Sequence, residues 1–401
     1  MSTTYSQYML RTAIHSGTGC RMMVPDLLRA MGARRTVLFT DQGLVNAGVM
    51  SRVAEIFDLT TRGSGPDLVG VFDGIQQDAR NGIINQAARF SRDLGADSLV
   101  ALGGGSVMDT VKGVKFMLHT GLTDILEAIP GNLALHAWPQ AQYILIPHIA
   151  IPTTAGTGAE VSPIAVILNE VERVKASLIH PFINADMAVM DPELTVGLPP
   201  EITAFTGMDA LTHALEALNS PTATALTDAY ALHAIRLIDT LLPVACQDGT
   251  NLKARANLLM ASTMAITAFS FALSAVPVHN FAHTFGARFG IPHGMANAIF
   301  LPEVMRYLPD LYLPRSADMA GAFSLPVAGL DAREILALVI DHIHQLRDKV
   351  GLPRTFGRYD ISREKLTEVV PAVVRDPAGV FFRLPPEIVI AVSTAVCGLD
   401  H

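Results

Sequence analysis

Cysteine is scarce in this sequence. Only Cys20, Cys246 and Cys397 occur among 401 residues, and they are far apart, with no C-x-x-C spacing. Three isolated cysteines argue against a disulfide framework and favour a reducing compartment, so we expect a cytoplasmic protein. The amino terminus also lacks the apolar run of a signal peptide. Internal repeats and low-complexity tracts are likewise missing from the sequence.

Charged residues are few as well. They make up 16% of the chain, against 50% hydrophobic residues, which predicts a large core, and 401 residues favour two domains. The net charge of −8 and pI near 5.9 give no electrostatic reason to expect nucleic acid or an anionic membrane as a partner. We therefore expect a small-molecule ligand.

No Asp, Glu, Lys or Arg occurs between Arg255 and Arg288. About twenty apolar residues are enough to span a bilayer, so a membrane segment has to be considered. The stretch, however, contains several serines and threonines, Pro277, Asn280 and two histidines. We therefore predict a helix inside a globular core, with the histidines at its end entering a cavity.

Five metal-ligating side chains lie in these apolar surroundings. Asp209 and His213 are four residues apart in a helical pattern, so they leave the same face of one helix. His279 and His283 repeat this spacing, and His293 follows a predicted loop. One such pair alone is more often a surface contact. Together they form a mixed nitrogen and oxygen set suited to Fe(II) or Zn(II), whereas magnesium or calcium would require more oxygen.

The first half of the chain alternates β-rich runs with helical patterns, which predicts a parallel sheet covered by helices. The run SLVAL at 98–102 leads into Gly103, Gly104, Gly105 and Ser106, before a helical pattern over 107–118. Such a turn can bind a phosphate through free backbone N–H groups, although a purely structural tight turn also explains it. The strand RTVLFTD at 35–41 ends at Asp41, long before the glycines. This order differs from the usual dinucleotide fingerprint and argues against a standard Rossmann domain.

Four further polar side chains are candidates for ligand binding. A buried strand leads into a loop containing Thr153 and Thr154, whose hydroxyls suit a ribose or a carboxamide, unless the loop is only solvated. Asp41 is equally plausible as a solvated residue that opens a turn, and a single lysine among charged neighbours, such as Lys175, is usually just a solvated charge. From Pro200 onward the patterns are helical, so we place a domain boundary between residues 1–198 and 199–401.

Four segments together resemble the iron-containing, group III alcohol dehydrogenases over nearly the whole chain. They are GGGSVMDTVKG, IPTTAGTGAEVSP, DPELTVGLPPEITAFTGMDALTHALEA and HNFAHTFGARFGIPHGMANAI. The resemblance implies an α/β nucleotide-binding domain and an all-helical domain, as in dehydroquinate synthase-like folds, with the site in the cleft between them. It also implies a small alcohol, aldehyde or ketone as substrate, NAD as cofactor, Fe(II) or alternatively zinc as metal, and a homodimer.

The family motifs assign roles to particular residues. The implied metal ligands are Asp209, His213, His279 and His293. His283 matches a histidine beside the metal that could pass a proton to solvent. The implied cofactor contacts are Asp41, Gly104, Gly105, Ser106, Thr153, Thr154 and Lys175.

The chain departs from the family pattern at three places. Val107 follows the glycines and Ser106 where proline is common, and DPAGVFFRLPPE at 376–387 replaces Asn-Pro-Arg. Gln77, Asp78 and Ala79 stand where Pro-Asn-Pro is common. A maleylacetate reductase-like enzyme and a dehydroquinate synthase-like lyase remain alternatives, although the former group generally lacks an aspartate at the position of Asp209.

Overall fold

The computed structural model describes residues 6–60, 65–379 and 382–399. Its backbone forms two compact units. One contains residues 9–154 and 158–198, and it is built from strands and helices. The other contains the described residues from Pro199 onward, together with residues 6–8 and 155–157, and its regular elements are helices. This arrangement confirms the predicted fold class, an α/β part followed by an all-helical part.

Two sheets form the α/β unit. Its strands are β1 Ala13–Ser16, β2 Arg35–Asp41, β3 Asp67–Ile75, β4 Ala79–Arg80, β5 Ser98–Gly103, β6 Leu133–Leu135, β7 His148–Pro152, β8 Ile164–Asn169, β9 Val174–Ile179 and β10 Met187–Met190. The larger sheet is parallel, with the order β1-β10-β7-β5-β2-β3. The smaller sheet has the order β4-β8-β9-β6.

Helices cover both faces of the larger sheet. They are α1 Val24–Ala30, α2 Gln42–Asn46, α3 Val49–Thr60, α4 Asn81–Asp93 and α5 Gly105–Thr120. In β2, Val37 and Phe39 belong to one core with side chains of α4 and α5, while Leu38 belongs to another with side chains of α1 and α3. Burial on both faces explains why β2 and β5 are continuous hydrophobic runs without alternation.

The helical unit contains ten helices among the described residues. They are α6 Pro200–Asn219, α7 Ala225–Gln247, α8 Leu252–Phe271, α9 Pro277–Phe289, α10 His293–Tyr307, α11 Pro309–Tyr312, α12 Ser316–Ala322, α13 Ala332–Lys349, α14 Arg363–Val374 and α15 Pro386–Cys397. Helix α6 is buried on all sides from Gly207 to Asn219 and contacts α7, α8 and α10. A helix that is buried on all sides is expected at the centre of such a unit.

The uncharged stretch between Arg255 and Arg288 forms parts of two helices, α8 and α9, where we predicted one. Residues 272–276 separate them, and α9 begins at Pro277, whose ring is tolerated in the first turn of a helix. The prediction of a buried position was right, since most of α8 and the first ten residues of α9 are buried.

Among the described residues, α7 alone is long and apolar enough to cross a bilayer. It carries Asp228, Arg236 and Asp239, and it packs against α6 and α8. Length and composition of a single helix are weak evidence for a membrane span, because the core helix of a globular fold meets the same criteria.

Candidate functional site

Three predicted metal ligands meet inside the helical unit. Asp209 and His213 lie one turn apart on α6, and His279 lies in the first turn of α9. Each offers one ligand atom, these atoms lie within 4.8 Å of one another, and all three side chains are buried. Two imidazoles and a carboxylate at this separation fit a divalent first-row cation.

His293 extends this cluster from the first residue of α10. Its Nε2 lies 3.6 Å from Oδ1 of Asp209, and Nε2 of His279 lies 3.9 Å from the same oxygen. The buried Asn297, one turn further along α10, donates from Nδ2 to Asp209 Oδ1 at 2.6 Å. That amide lies 3.2 Å from His293 Nε2 and 3.4 Å from His279 Nε2. Three of the predicted ligands therefore form one compact group, His293 lies beside Asp209 of that group, and the Asn297 amide lies among Asp209, His279 and His293.

A buried carboxylate, Glu216 on α6, orients His279. One of its oxygens accepts the Val278 N–H at 2.7 Å and so satisfies a free donor in the first turn of α9. The other forms a short hydrogen bond with His279 Nδ1. A carboxylate behind a ligating imidazole holds the proton on the nitrogen that it contacts, here Nδ1, and so leaves the lone pair on Nε2 for a cation.

Burial decides the protonation of the ligand side chains. It lowers the pKa of His213 to about 4, so this imidazole is neutral at pH 7 and can donate its lone pair. Burial raises the pKa of Glu216 to about 8, against the lowering effect of its hydrogen bond from Val278. The buried Nδ1 of His213 and Oδ1 of Asn297 have no hydrogen-bond partner among the described residues. The neutral imidazole of His213 and these unsatisfied polar atoms fit a cation at this place.

His283 lies beside the cluster. It follows His279 by one turn of α9, its ring stacks on that of His293 with centroids 5.2 Å apart, and it does not join the group of mutually close ligand atoms. Its Nδ1 lies 3.3 Å from Oδ1 of the buried Asp376. The Ala378 N–H also donates to that oxygen, which fixes the carboxylate. His283 is therefore a partnered histidine next to the candidate metal ligands.

The α/β unit brings other predicted residues to one edge of its larger sheet. Strands β7, β5 and β2 are neighbours and parallel, so their carboxyl ends lie at the same edge. Thr153 follows β7, the glycine turn follows β5, and Asp41 ends β2. Ligands of open α/β sheets bind at such edges.

The glycine turn has the shape of a phosphate cradle. Gly104 precedes the first turn of α5, whose backbone N–H groups form a positive helix end. A Cβ on Gly103 would lie 2.5 Å from Val107 Cγ2, and one on Gly104 would lie 3.2 Å from Thr154 Oγ1. The Thr153 N–H donates to the Gly103 carbonyl at 3.0 Å, which ties the two loops together. A side chain would clash at Gly103 and be tight at Gly104, so glycine suits this turn, and glycine also leaves the backbone open to close approach by a ligand.

Two candidate residues have partners that their sequence surroundings did not reveal. Asp41 caps α2, since its Oδ1 accepts the Leu44 N–H at 3.0 Å, so it is a turn residue at the sheet edge. Lys175 on β9 is buried and pairs with Asp78 at 2.9 Å, which overturns its interpretation as a solvated charge. The Asp78 N–H donates to Ser106 Oγ at 3.0 Å.

Sequence reasoning missed Glu216, Asn297 and the contact of Asp376. Glu216 had a signal, because it follows Asp209 by seven residues and His213 by three and so lies on the same helix face. Asn297 had a similar signal, because it follows His293 by four residues and so lies on the same helix face. Asp376 is 93 residues from His283, and no local pattern points to that contact.

Comparisons with known proteins agree with this geometry. Residues 11–192 match the family model described as iron-containing alcohol dehydrogenase, and residues 203–381 match the carboxyl-terminal model of the Fe-containing alcohol dehydrogenase family. The chain therefore belongs to the iron-containing alcohol dehydrogenase family. It is accordingly an oxidoreductase acting between an alcohol and the corresponding carbonyl compound.

Individual relatives cover most of the chain. It is 33% identical to long-chain-alcohol dehydrogenase 1 of Geobacillus thermodenitrificans, over 90% of this chain and 88% of the relative. It is 30% identical to the NAD-dependent methanol dehydrogenase of Bacillus methanolicus, over 87% of this chain and 88% of the relative. A crystal structure of 1,3-propanediol oxidoreductase superposes with a TM-score of 0.88 at 28% identity, over 97% of this chain and 99% of that one.

Proposed function

We propose that this protein is an NAD-dependent, iron-containing alcohol dehydrogenase whose metal is held by Asp209, His213, His279 and His293. The observation that carries the proposal is the set of three buried ligand atoms within 4.8 Å of one another, with His293 beside Asp209. Zinc is the alternative ion, because it outbinds Fe(II) at most mixed nitrogen and oxygen sites.

The bound groups supply chemistry that the side chains lack: the cation polarises the substrate oxygen as a Lewis acid, and nicotinamide exchanges the hydride. The protein prepares the site for them. Glu216 keeps the Nε2 lone pair of His279 available, and Asn297 holds one oxygen of Asp209 in place.

His283 is the proposed proton acceptor for alcohol oxidation. Asp376 keeps the proton of this imidazole on Nδ1, so Nε2 carries the lone pair that can accept the alcohol proton. We expect His283→Ala to keep its metal while its turnover falls about a hundredfold. Asp376→Asn keeps an acceptor oxygen and should retain most of the rate, whereas Asp376→Ala should not. Equal rates for the parent and His283→Ala across pH would refute this role.

The proposed NAD site comprises Asp41, Gly104, Gly105, Ser106, Thr153, Thr154 and Lys175. The glycine turn at the start of α5 supports it, since both its missing side chains and its N–H groups suit a pyrophosphate. Asp41 at the neighbouring strand end suits ribose hydroxyls and disfavours a 2′-phosphate. The relative named as NAD-dependent supports the same choice of cofactor.

We further propose a cytoplasmic homodimer. Strand β1 is an edge of the larger sheet, and Leu10 and Ile14 near this edge are exposed. An apolar edge strand pairs readily with a second chain. The three cysteines are free, as suits a reducing compartment. Light scattering during gel filtration should give twice the chain mass of 42.9 kDa, and a single chain mass would contradict the dimer.

The decisive experiment is anaerobic purification and metal analysis, followed by assay of Fe(II)- and Zn(II)-loaded protein with NAD and a panel of small alcohols. We expect NADH to form in step with the aldehyde or ketone. His213→Ala should lose metal and activity together. Full metal occupancy in that variant would refute the ligand assignment, and turnover without net NADH formation would instead favour the lyase-like alternative.

A further inference from the structure

The ion pair between Asp78 and Lys175 lies beside the proposed phosphate cradle. Lys175 Nζ is 2.9 Å from Asp78 Oδ1, and the two side chains are only 7% and 18% exposed. A largely buried ammonium is costly without a partner, and Asp78 supplies that partner. Within the described residues, this is the ion pair found for Lys175.

The backbone of Asp78 is fixed to the same cradle. Its N–H donates to Ser106 Oγ at 3.0 Å, in the first turn of α5. Its φ of 64° lies in the left-handed region, which aspartate and asparagine adopt more readily than other residues with a side chain. Asp78 therefore contacts two of the proposed cofactor-binding residues, Ser106 and Lys175, and places a carboxylate beside them.

The charge of Asp78 opposes the cofactor. The pyrophosphate of a dinucleotide carries two negative charges, which Lys175 would attract if its own charge were not already compensated. The Asp78 carboxylate pairs with Lys175, and the backbone N–H of the same residue donates to Ser106 Oγ, so a negative charge lies near the proposed phosphate site and repels the same phosphates. The negative charge of Asp78 therefore lowers the affinity of the site for the cofactor.

We propose that Asp78 sets the affinity of the cofactor site: it neutralises Lys175 in the free protein and weakens the binding of the anionic dinucleotide, so that cofactor is released more readily. This inference rests on the proposed function, because it places NAD(H) at Ser106 and Lys175. Removal of a side-chain charge inside a binding site usually weakens ligand binding. Here we expect the opposite, since removal of the Asp78 charge strengthens the binding of the cofactor.

The test is NADH binding to the full-length, metal-free chain, measured by fluorescence titration at low and moderate salt. Asp78→Asn keeps the side-chain size and tolerates the left-handed backbone, so it isolates the charge. We expect a Kd for NADH about three- to tenfold lower than in the parent chain, with a steeper dependence on salt. NADH should also raise the thermal midpoint of Asp78→Asn more than that of the parent.

The matched control is Glu170→Gln. Glu170 follows β8 and pairs with Arg80 at 3.5 Å, and among the described residues no hydrogen bond or ion pair joins it to Ser106 or Lys175, so Glu170→Gln should have the Kd of the parent. Lys175→Met opens the pair from the other side and leaves the carboxylate uncompensated, so its Kd should rise at least tenfold. This second variant keeps the test valid if Asp78→Asn folds poorly.

The outcomes separate the two proposals. A Kd for Asp78→Asn equal to or higher than that of the parent would overturn the inference, as would an unchanged Kd for Lys175→Met. If the parent chain failed to bind NADH at all, the proposed function itself would be refuted. Binding by the parent with unaltered binding by both variants would refute only the role of Asp78.

Discussion

Replacing Glu216 with glutamine should weaken metal binding without removing any metal ligand. The carboxylate accepts the Val278 N–H and hydrogen-bonds to His279 Nδ1. In Glu216→Gln, the amide oxygen can still accept from Val278, which turns the NH2 group toward His279. A donor at that position favours the tautomer with the proton on Nε2, the nitrogen that faces Asp209.

The expected loss follows from the role of residues behind metal ligands. Removing such a partner typically costs about 10- to 100-fold in metal affinity, or about 1.4–2.7 kcal/mol. The stability of the metal-free chain should change far less, within about 1 kcal/mol. Glutamine has almost the same size and keeps an oxygen that can accept the Val278 N–H, so packing and buried hydrogen bonding should change little. We therefore expect Glu216→Gln to lower the metal affinity and to leave the stability of the metal-free chain nearly unchanged.

The assay is calorimetric titration of the metal-free chain with Zn(II), together with thermal unfolding of the same samples. Glu201→Gln is the control, because Glu201 lies in the first turn of the same helix, exposed and paired with Arg358 at 3.1 Å. We expect Glu201→Gln to bind as the parent does. If Glu216→Gln bound Zn(II) within threefold of the parent, or lost metal only because it unfolded, the reasoning about the tautomer of His279 would be wrong.

Three further predictions concern packing, pH and cofactor choice. Gly294→Ala should lower the free energy of unfolding by about 1–3 kcal/mol in chemical denaturation, since its Cβ would lie 2.4 Å from the Phe205 carbonyl oxygen, whereas Gly321→Ala, with open space around its Cβ, should not. Burial holds the pKa of His148 well below 6.5, so the unfolded chain takes up a proton first and the parent loses about 1.4 kcal/mol of stability per pH unit below pH 6.5. The stability of the parent relative to His148→Leu should therefore fall between pH 7 and pH 5, and a constant difference would contradict this. Asp41→Gly should improve the use of NADP far more than it harms the use of NAD, and an unchanged ratio of kcat/KM values would refute the proposed role of Asp41.

Local periodicity was enough to predict most of the regular elements that carry the candidate site. The run RTVLFTD at 35–41 coincides with β2, and the predicted helix at 107–118 lies within α5. Spacing of four residues placed Asp209 with His213, and His279 with His283, on common helix faces, and the structure has both pairs on single helices. These predictions succeeded because the residues involved are near neighbours along the chain, where backbone geometry alone decides which side chains share a face.

Contacts between distant segments were beyond such reasoning. The order β7-β5-β2 brings Thr153, Gly103 and Asp41 to one edge, and it depends on which strands pair, which a hydrophobic run does not specify. Asp376 and His283 are 93 residues apart, and Lys175, interpreted as a solvated charge from its acidic neighbours, is buried against Asp78.

The sequence by itself thus determined the kinds of side chain available and the helix or strand that carries each one, because both follow from composition and short-range geometry. Only the tertiary structure decided which of them are partners. Packing in the helical unit places Glu216 behind His279, and pairing in the α/β unit places Asp78 between Ser106 and Lys175. Those partners control the tautomer of a candidate ligand and the charge of a candidate cofactor site, and they exist only when remote segments have packed together.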